Sequence, residues 1–101
     1  MATAIYTLGV WRVKPQHEDE FIAAWKSLGV TFSQLPAPPI GKGTLIQSVT
    51  EPALFYSFGP WKSLEDVQSM RQNLQAQAEI NHLRELCSES VPGSFRVVAE
   101  A

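Results

Sequence analysis

Cysteine is nearly absent: Cys87 stands alone in the chain. It has no internal partner for a disulfide, as expected of a protein kept in a reducing compartment, and the cytoplasm is the expected location. Histidine is equally scarce. His17 and His82 are far apart in the sequence with no cysteine beside them, whereas a metal site needs three or four converging ligands; neither a metal nor another cofactor is expected. Charge of either sign is thin, with 8 Lys and Arg against 10 Asp and Glu, a net −2. No basic excess exists to neutralise a phosphate backbone, so nucleic acid is not an expected partner. Nor is a membrane: no apolar run approaches the roughly 20 residues of a span. Met1-Ala2-Thr3-Ala4 carries no Lys or Arg before its apolar stretch and does not read as a secretory signal. Gly41-Lys42-Gly43 is too short for a phosphate-binding loop. Repeats, low-complexity tracts and standard catalytic motifs are missing too.

What is present is enough for one small core. The 101 residues are 45% hydrophobic, which predicts a single domain over residues 1–101. The stretch Leu35 to Gly43, with three prolines and two glycines, reads as a stiff loop.

Ala4 to Lys14 reads as a strand. Ile5, Thr7, Gly9, Trp11 and Val13 share one face; Tyr6, Leu8, Val10, Arg12 and Lys14 share the other. Apolar residues on both faces predict a central strand covered twice. Pro15 suits a first helical turn, and Glu18, Asp19 and Glu20 favour the positive end of a helix dipole. Phe21, Trp25, Leu28, Phe32 and Leu35 then form one helical stripe, which Gly29 weakens by about 1 kcal/mol relative to alanine and Pro36 ends. Gly43 to Thr50 and Leu54 to Trp61 read as two further strands. Ser63 with Asp66 resembles a capping box. Behind it run the stripe Leu64, Val67, Met70, Leu74 and Ala78, and a second stripe of Ile80, Leu83 and Cys87. The two stripes point roughly 150° apart at about 100° per residue, so a kink is expected between Ala76 and Glu79, with a short helical piece after it. Pro92-Gly93 reads as a turn and Ser94 to Ala99 as a last strand.

The order is β-α-β-β-α-β, an α+β ferredoxin-like fold: a four-stranded antiparallel sheet with helices on one face. Helices on one face leave the apolar residues of the other uncovered. A homodimer joined through the sheets is the expected remedy.

Among chemically capable residues, Trp25 reads as core and Cys87 as a packed thiol. Trp11 and Trp61, at strand ends, are either core or the lining of a cavity between sheet and helices. Arg71 either edges such a pocket, where it would hold an anion or a polarised carbonyl, or sits solvated at its rim. His17 reads as solvated, and His82 as a surface or half-buried helix residue.

Trp11-Arg12-Val13-Lys14-Pro15, followed by acids, Glu20-Phe21 and Trp25, resembles the opening of antibiotic-biosynthesis-monooxygenase-like domains. Phe55-Tyr56-Ser57-Phe58-Gly59-Pro60-Trp61-Lys62-Ser63 resembles the same family where it enters the second helix. The resemblance spans nearly the whole chain. It implies a dimeric α/β barrel with sheets back to back and a cavity between each sheet and its helices.

Family members include cofactor-independent oxygenases of polycyclic phenols and haem-degrading proteins. In the quinone-forming members an Asn four residues before the strand-end Trp, and an Arg on the second helix, accompany that Trp. Here the corresponding positions hold Ser57 and Trp61, with Arg71 or Arg84 available as the Arg. The haem-degrading members use a first-strand Asn and a helix His. Thr7-Leu8-Gly9-Val10 has no Asn and the helix position is Arg71, which disfavours haem because Arg is no neutral nitrogen ligand.

The function implied is a cofactor-independent monooxygenase-like protein acting on a small aromatic or phenolic substrate. The alternative is a small-ligand-binding or regulatory dimer without catalysis. The expected catalytic set is Trp61, Ser57 and Arg71. The expected ligand-binding set is Trp11, Tyr6, Phe55, Met70, Leu74 and His82.

Overall fold

The computed structural model describes residues 4–101. Met1-Ala2-Thr3, read above as no secretory leader, lies outside the described residues. The elements are β1 (Ile5–Val13), α1 (Glu18–Ser33), β2 (Thr44–Gln47), β3 (Leu54–Trp61), α2 (Leu64–Gln72), α3 (Leu74–Glu85) and β4 (Cys87–Arg96). They build one antiparallel sheet in the order β2-β3-β1-β4. The two strands with apolar residues on both faces, β1 and β3, are the central pair. With its helices on one face, this is the ferredoxin-like arrangement anticipated from the pattern.

Side chains directly opposite in an antiparallel ladder share a face. Trp11 pairs with Phe55, Gly9 with Ser57, Thr7 with Gly59 and Ile5 with Trp61, and these form the inner, helix-covered face. Tyr6, Leu8 and Val10 lie on the outer face with Phe58, Tyr56, Val91 and Phe95. Ile46 joins them opposite Tyr56. Ile46, Tyr56, Val91 and Phe95 are all exposed, so the uncovered apolar face is a feature of the isolated chain.

β2 ends at Gln47 instead of Thr50 and β4 at Arg96 instead of Ala99, and three further boundaries differ from expectation for a local reason. First, Pro15 does not open α1. It occupies the second position of a β-turn closed by His17 N–H donating to the Lys14 carbonyl at 3.1 Å, with Gln16 at φ 71°. Proline at the second position and positive φ at the third make this a type II turn.

Second, the helix break falls at Asn73, ahead of the expected Ala76 to Glu79. Asn73 has extended backbone, ends α2, and caps α3: its Oδ1 accepts from the Ala76 N–H at 3.0 Å. An asparagine can satisfy orphan amides in this way, so the chain restarts a helix there instead of bending one. The second piece is a full 12-residue helix.

Third, Pro92-Gly93 is no turn. It lies inside β4, which begins at Cys87 instead of Ser94. An edge strand has only one neighbour, and proline's missing donor is tolerated on the open side. Cys87 is accordingly the first residue of this strand, paired with Val13, and not part of a helical stripe.

Apolar packing on the inner face is split in two. One cluster gathers Trp11, Val13, Phe21, Leu28, Phe55, Leu83, Leu86 and Cys87. Its aromatic rings pack in sequence at tilted angles, Trp11 to Phe21 at 5.4 Å and Phe21 to Phe55 at 5.2 Å between centroids. The other cluster gathers Trp61, Val67, Met70 and Ala76. α1 and α3 are tied together over the sheet by Glu79, which accepts from Ser27 Oγ at 3.1 Å and from the Thr31 hydroxyl.

Candidate functional site

Between the two clusters the inner face carries only small side chains. Reading along β1 from the Trp11 end, the positions are Trp11, Gly9, Thr7 and Ile5; along β3 they are Phe55, Ser57, Gly59 and Trp61. Large residues at the ends hold the helices off the sheet, and the small ones between them cannot fill the gap. The result is a cavity of about 930 Å³.

Sheet residues Thr7, Gly9, Ser57 and Gly59 form its floor. The roof comes from two helical stripes at the spacing of one face: Trp25, Leu28, Gly29 and Phe32 on α1, and Gln77, Ile80, Asn81 and Arg84 on α3. A side chain at Gly29 would meet nothing within 4 Å, so the roof is thin there. Met70 and Arg71 of α2 and the loop from Pro39 to Gly43 close the sides.

Two tryptophans frame the floor through matched hydrogen bonds. The Trp11 indole Nε1–H donates to Ser57 Oγ at 2.9 Å, and the Trp61 Nε1–H donates to Thr7 Oγ1 at 3.1 Å. Each hydroxyl accepts from an indole, so its own proton is left to donate elsewhere. Both hydroxyls line the cavity. Trp61 is 1% exposed and meets the Phe32 ring edge-on at 5.3 Å. Gly9 is required by this geometry: a Cβ there would lie 2.7 Å from Trp11 Nε1 and 3.0 Å from Ser57 Oγ.

Arg71 crosses from α2 to the edge strand, donating from a guanidinium nitrogen to Ser94 Oγ at 3.1 Å. Its backbone carbonyl accepts from Gln77 Nε2 at 2.7 Å. Arg84 enters from the last turn of α3.

Of the residues anticipated from the sequence, Trp11, Ser57, Trp61, Met70 and Arg71 surround this one cavity. The other four lie elsewhere. Tyr6 is on the outer face, paired with Pro60 and Phe95. Phe55 is inner-facing but locked into the first cluster, against Phe21. Leu74 is 81% exposed, because the break at Asn73 ends the stripe that Met70 belongs to. Leu64 and Ala78, expected on that stripe, are exposed as well. His82 is exposed on α3, turned away from the cavity-facing stripe by one helical step from Asn81.

Of the cavity's polar residues, the sequence pattern pointed to Arg84 only as an alternative to Arg71 and did not point to Thr7, Gln77 or Asn81. The signal existed: small residues at the centre of one face of both central strands, flanked by large ones.

Burial pushes the Cys87 thiol up to about 11, as desolvation disfavours the thiolate. Such a thiol is a poor nucleophile at neutral pH. Among the described residues, no three or more His, Cys, Asp or Glu side chains gather as a metal site, and no helix is long and apolar enough to cross a membrane.

No protein-family model matches the chain, and no curated protein matches it in sequence. Solved structures do match in shape. SnoaB, a cofactor-independent oxygenase from Streptomyces nogalater, superimposes with a TM-score of 0.85 over 98% of this chain and 97% of its own, at 15% identity. A conserved protein from Methanosarcina mazei Go1 gives 0.82 over 94% and 93%, at 20% identity. A structure described as an antibiotic biosynthesis monooxygenase gives 0.76 over 96% and 99%, at 11% identity. At these identities the likeness is one of fold, and the fold is the one the sequence resemblance implied.

Proposed function

We propose that the protein is a cofactor-independent monooxygenase that binds a small aromatic or phenolic substrate between sheet and helices. The observation that carries this reading is the cavity's composition: aromatic walls around two hydroxyls that indole donors already engage. The fold likeness to a cofactor-independent oxygenase supports it.

The rings of a flat substrate lie against Trp25 and Phe32, with Trp11 and Trp61 packed behind the hydroxyls they engage. Ser57 and Thr7 donate hydrogen bonds to a substrate oxygen, and Arg71 stabilises the phenolate or enolate that forms. An electron-rich anion of this kind supplies its own reducing power. For an anthrone-type substrate, the ring methylene and O₂ give the ring carbonyl and one water: one oxygen atom enters the carbon, the other leaves as water, and the methylene carbon gives up the four electrons. The protein's part is orientation and exclusion of solvent. Two copies pair through the outer sheet faces, and the location is the cytoplasm.

Oxygen uptake with a panel of anthrones and quinols tests the reading. Turnover that falls about 10-fold or more in Trp61→Ala is the expected result; an intact protein that neither binds nor consumes any of them sinks it.

One observation favours a second reading. The cavity lining contains no Asp, Glu, His or Cys, so no side-chain base of ordinary kind stands beside the ligand. A dimer that binds a small ligand without changing it fits the same walls. Thermal stabilisation by a ligand recovered chemically unchanged would select that reading.

A further inference from the structure

Gly29 lies well inside the 16-residue helix α1, where glycine weakens a helix relative to alanine. Nothing in the packing requires it. Its φ is not positive, and a Cβ there would meet nothing within 4 Å. Gly9 differs, because its Cβ would strike Trp11 and Ser57. Gly29 is also exposed to solvent and lines the cavity. A residue open to both sides marks a gap in the wall.

Helical phase says where the gap lies. Ser27 and Thr31 face α3, since both donate to Glu79. At about 100° per residue, Gly29 points about 160° away from either, onto the flank opposite α3. Trp25, one turn earlier on that flank, reaches the loop before β2: a Cβ on Gly43 would lie 3.4 Å from its ring. The gap therefore opens between α1 and the loop from Pro39 to Gly43, which lines the same cavity.

Both walls of the gap are tied down. Glu79 holds α1 at Ser27 and Thr31, on either side of Gly29. The loop is fastened to the sheet where the Ile40 N–H donates to the Pro60 carbonyl at 3.1 Å. Its far end lies so close to β3 that a Cβ on Gly59 would sit 3.2 Å from the Gly43 Cα. With both walls held, the width of the gap is set by the side chain at position 29, and glycine supplies none.

Taking from the proposed function only that the cavity receives a small aromatic ligand, we infer that the gap beside Gly29 is the entrance to the cavity and that position 29 controls how fast a ligand passes. A longer side chain there narrows the passage while leaving the floor and its hydroxyls intact. It raises one barrier that entry and exit share, so both slow together and the equilibrium stays nearly where it was.

The probe is 1-naphthol with oxygen excluded, mixed with the protein by stopped flow and read by tryptophan fluorescence. Gly29→Gln is expected to lower association and dissociation rates together by about 10-fold, with Kd within about 3-fold of the native value. Val30→Gln, exposed on the same helix and outside the lining, leaves both rates unaltered. Glutamine is the better helix former, so the urea midpoint of Gly29→Gln is expected to rise. Should that variant unfold instead, Gly29→Cys blocked after folding with benzyl methanethiosulfonate carries the test: exchange slows on blocking and recovers on reduction, while the buried Cys87 is spared. Unaltered rates, or weaker binding with association intact, overturn the inference and leave the aromatic reading standing. A native protein that binds no 1-naphthol counts against the aromatic reading alone, and acrylamide then decides the entrance. In a Trp25→Phe background only the buried Trp11 and Trp61 report; quenching that drops with Gly29→Gln upholds the entrance, and equal quenching overturns it.

Discussion

An alanine at position 9 would place its Cβ 2.7 Å from the Trp11 indole nitrogen, closer than side chains tolerate. On its other side the indole is backed by Phe21 in the first cluster, so it can yield only toward the cavity. Gly9→Ala is therefore expected to cost about 1–3 kcal/mol through overpacking and to pull Trp11 off Ser57. Urea denaturation reads the loss, and a red shift of tryptophan emission reads the displaced indole. Cys87 yields a pH prediction at the same scale. Its folded pKa, raised to about 11 by burial, lies above the ordinary thiol value near 9. Below pH 9 both folded and unfolded states hold the proton and the group has no effect. Between about pH 9 and 11 the unfolded chain releases it first, so stability falls as pH rises. Chemical denaturation from pH 8 to 11 should show this slope in the native protein and less of it in Cys87→Ala.

At the scale of elements, Asn73 separates two helices that a uniform apolar stripe would have joined. Its side chain supplies the cap at the start of α3. Asn73→Ala is expected to destabilise by about 0.5–2 kcal/mol, with faster amide exchange at Gln75, Ala76 and Gln77 than elsewhere in α3. Why the break was legible but misplaced is instructive. The two stripes, through Met70 and through Leu83, announce a change of direction, because one straight helix cannot bury both. They say nothing of where it occurs; that depends on a single amide reaching a backbone N–H. The strands β1 and β3 were legible almost to the residue because their alternation is strong. β4 was not, since Ser88, Glu89, Ser90 and Pro92-Gly93 carry no apolar alternation. It is a strand through pairing with β1, a non-local cause. The cavity floor was written in Gly9, Thr7, Ser57 and Gly59, but small residues announce an empty space only once the register sets them side by side. Leu74 and His82 looked eligible by helical spacing, and one break in phase put Leu74 in solvent.

For the whole molecule, the outer sheet face fixes the main expectation. Ile46, Tyr56, Val91 and Phe95 present it to solvent together, and each large apolar side chain buried there contributes roughly 1.5–3 kcal/mol. Sedimentation at micromolar concentration is expected to find two copies. The double substitution Val91→Glu with Phe95→Glu should yield single copies with unaltered far-UV circular dichroism. A native chain that sediments as one copy would contradict the pairing.

The margins of the sheet set how far such association can go. On one side β2 offers four residues; on the other, β4 carries Pro92 in mid-run. A short margin and a proline-interrupted one are poor templates for an incoming strand. Growth into fibrils or ribbons is thereby discouraged at both rims, even though so much oily surface lies open between them, and association is steered toward a discrete particle of fixed size.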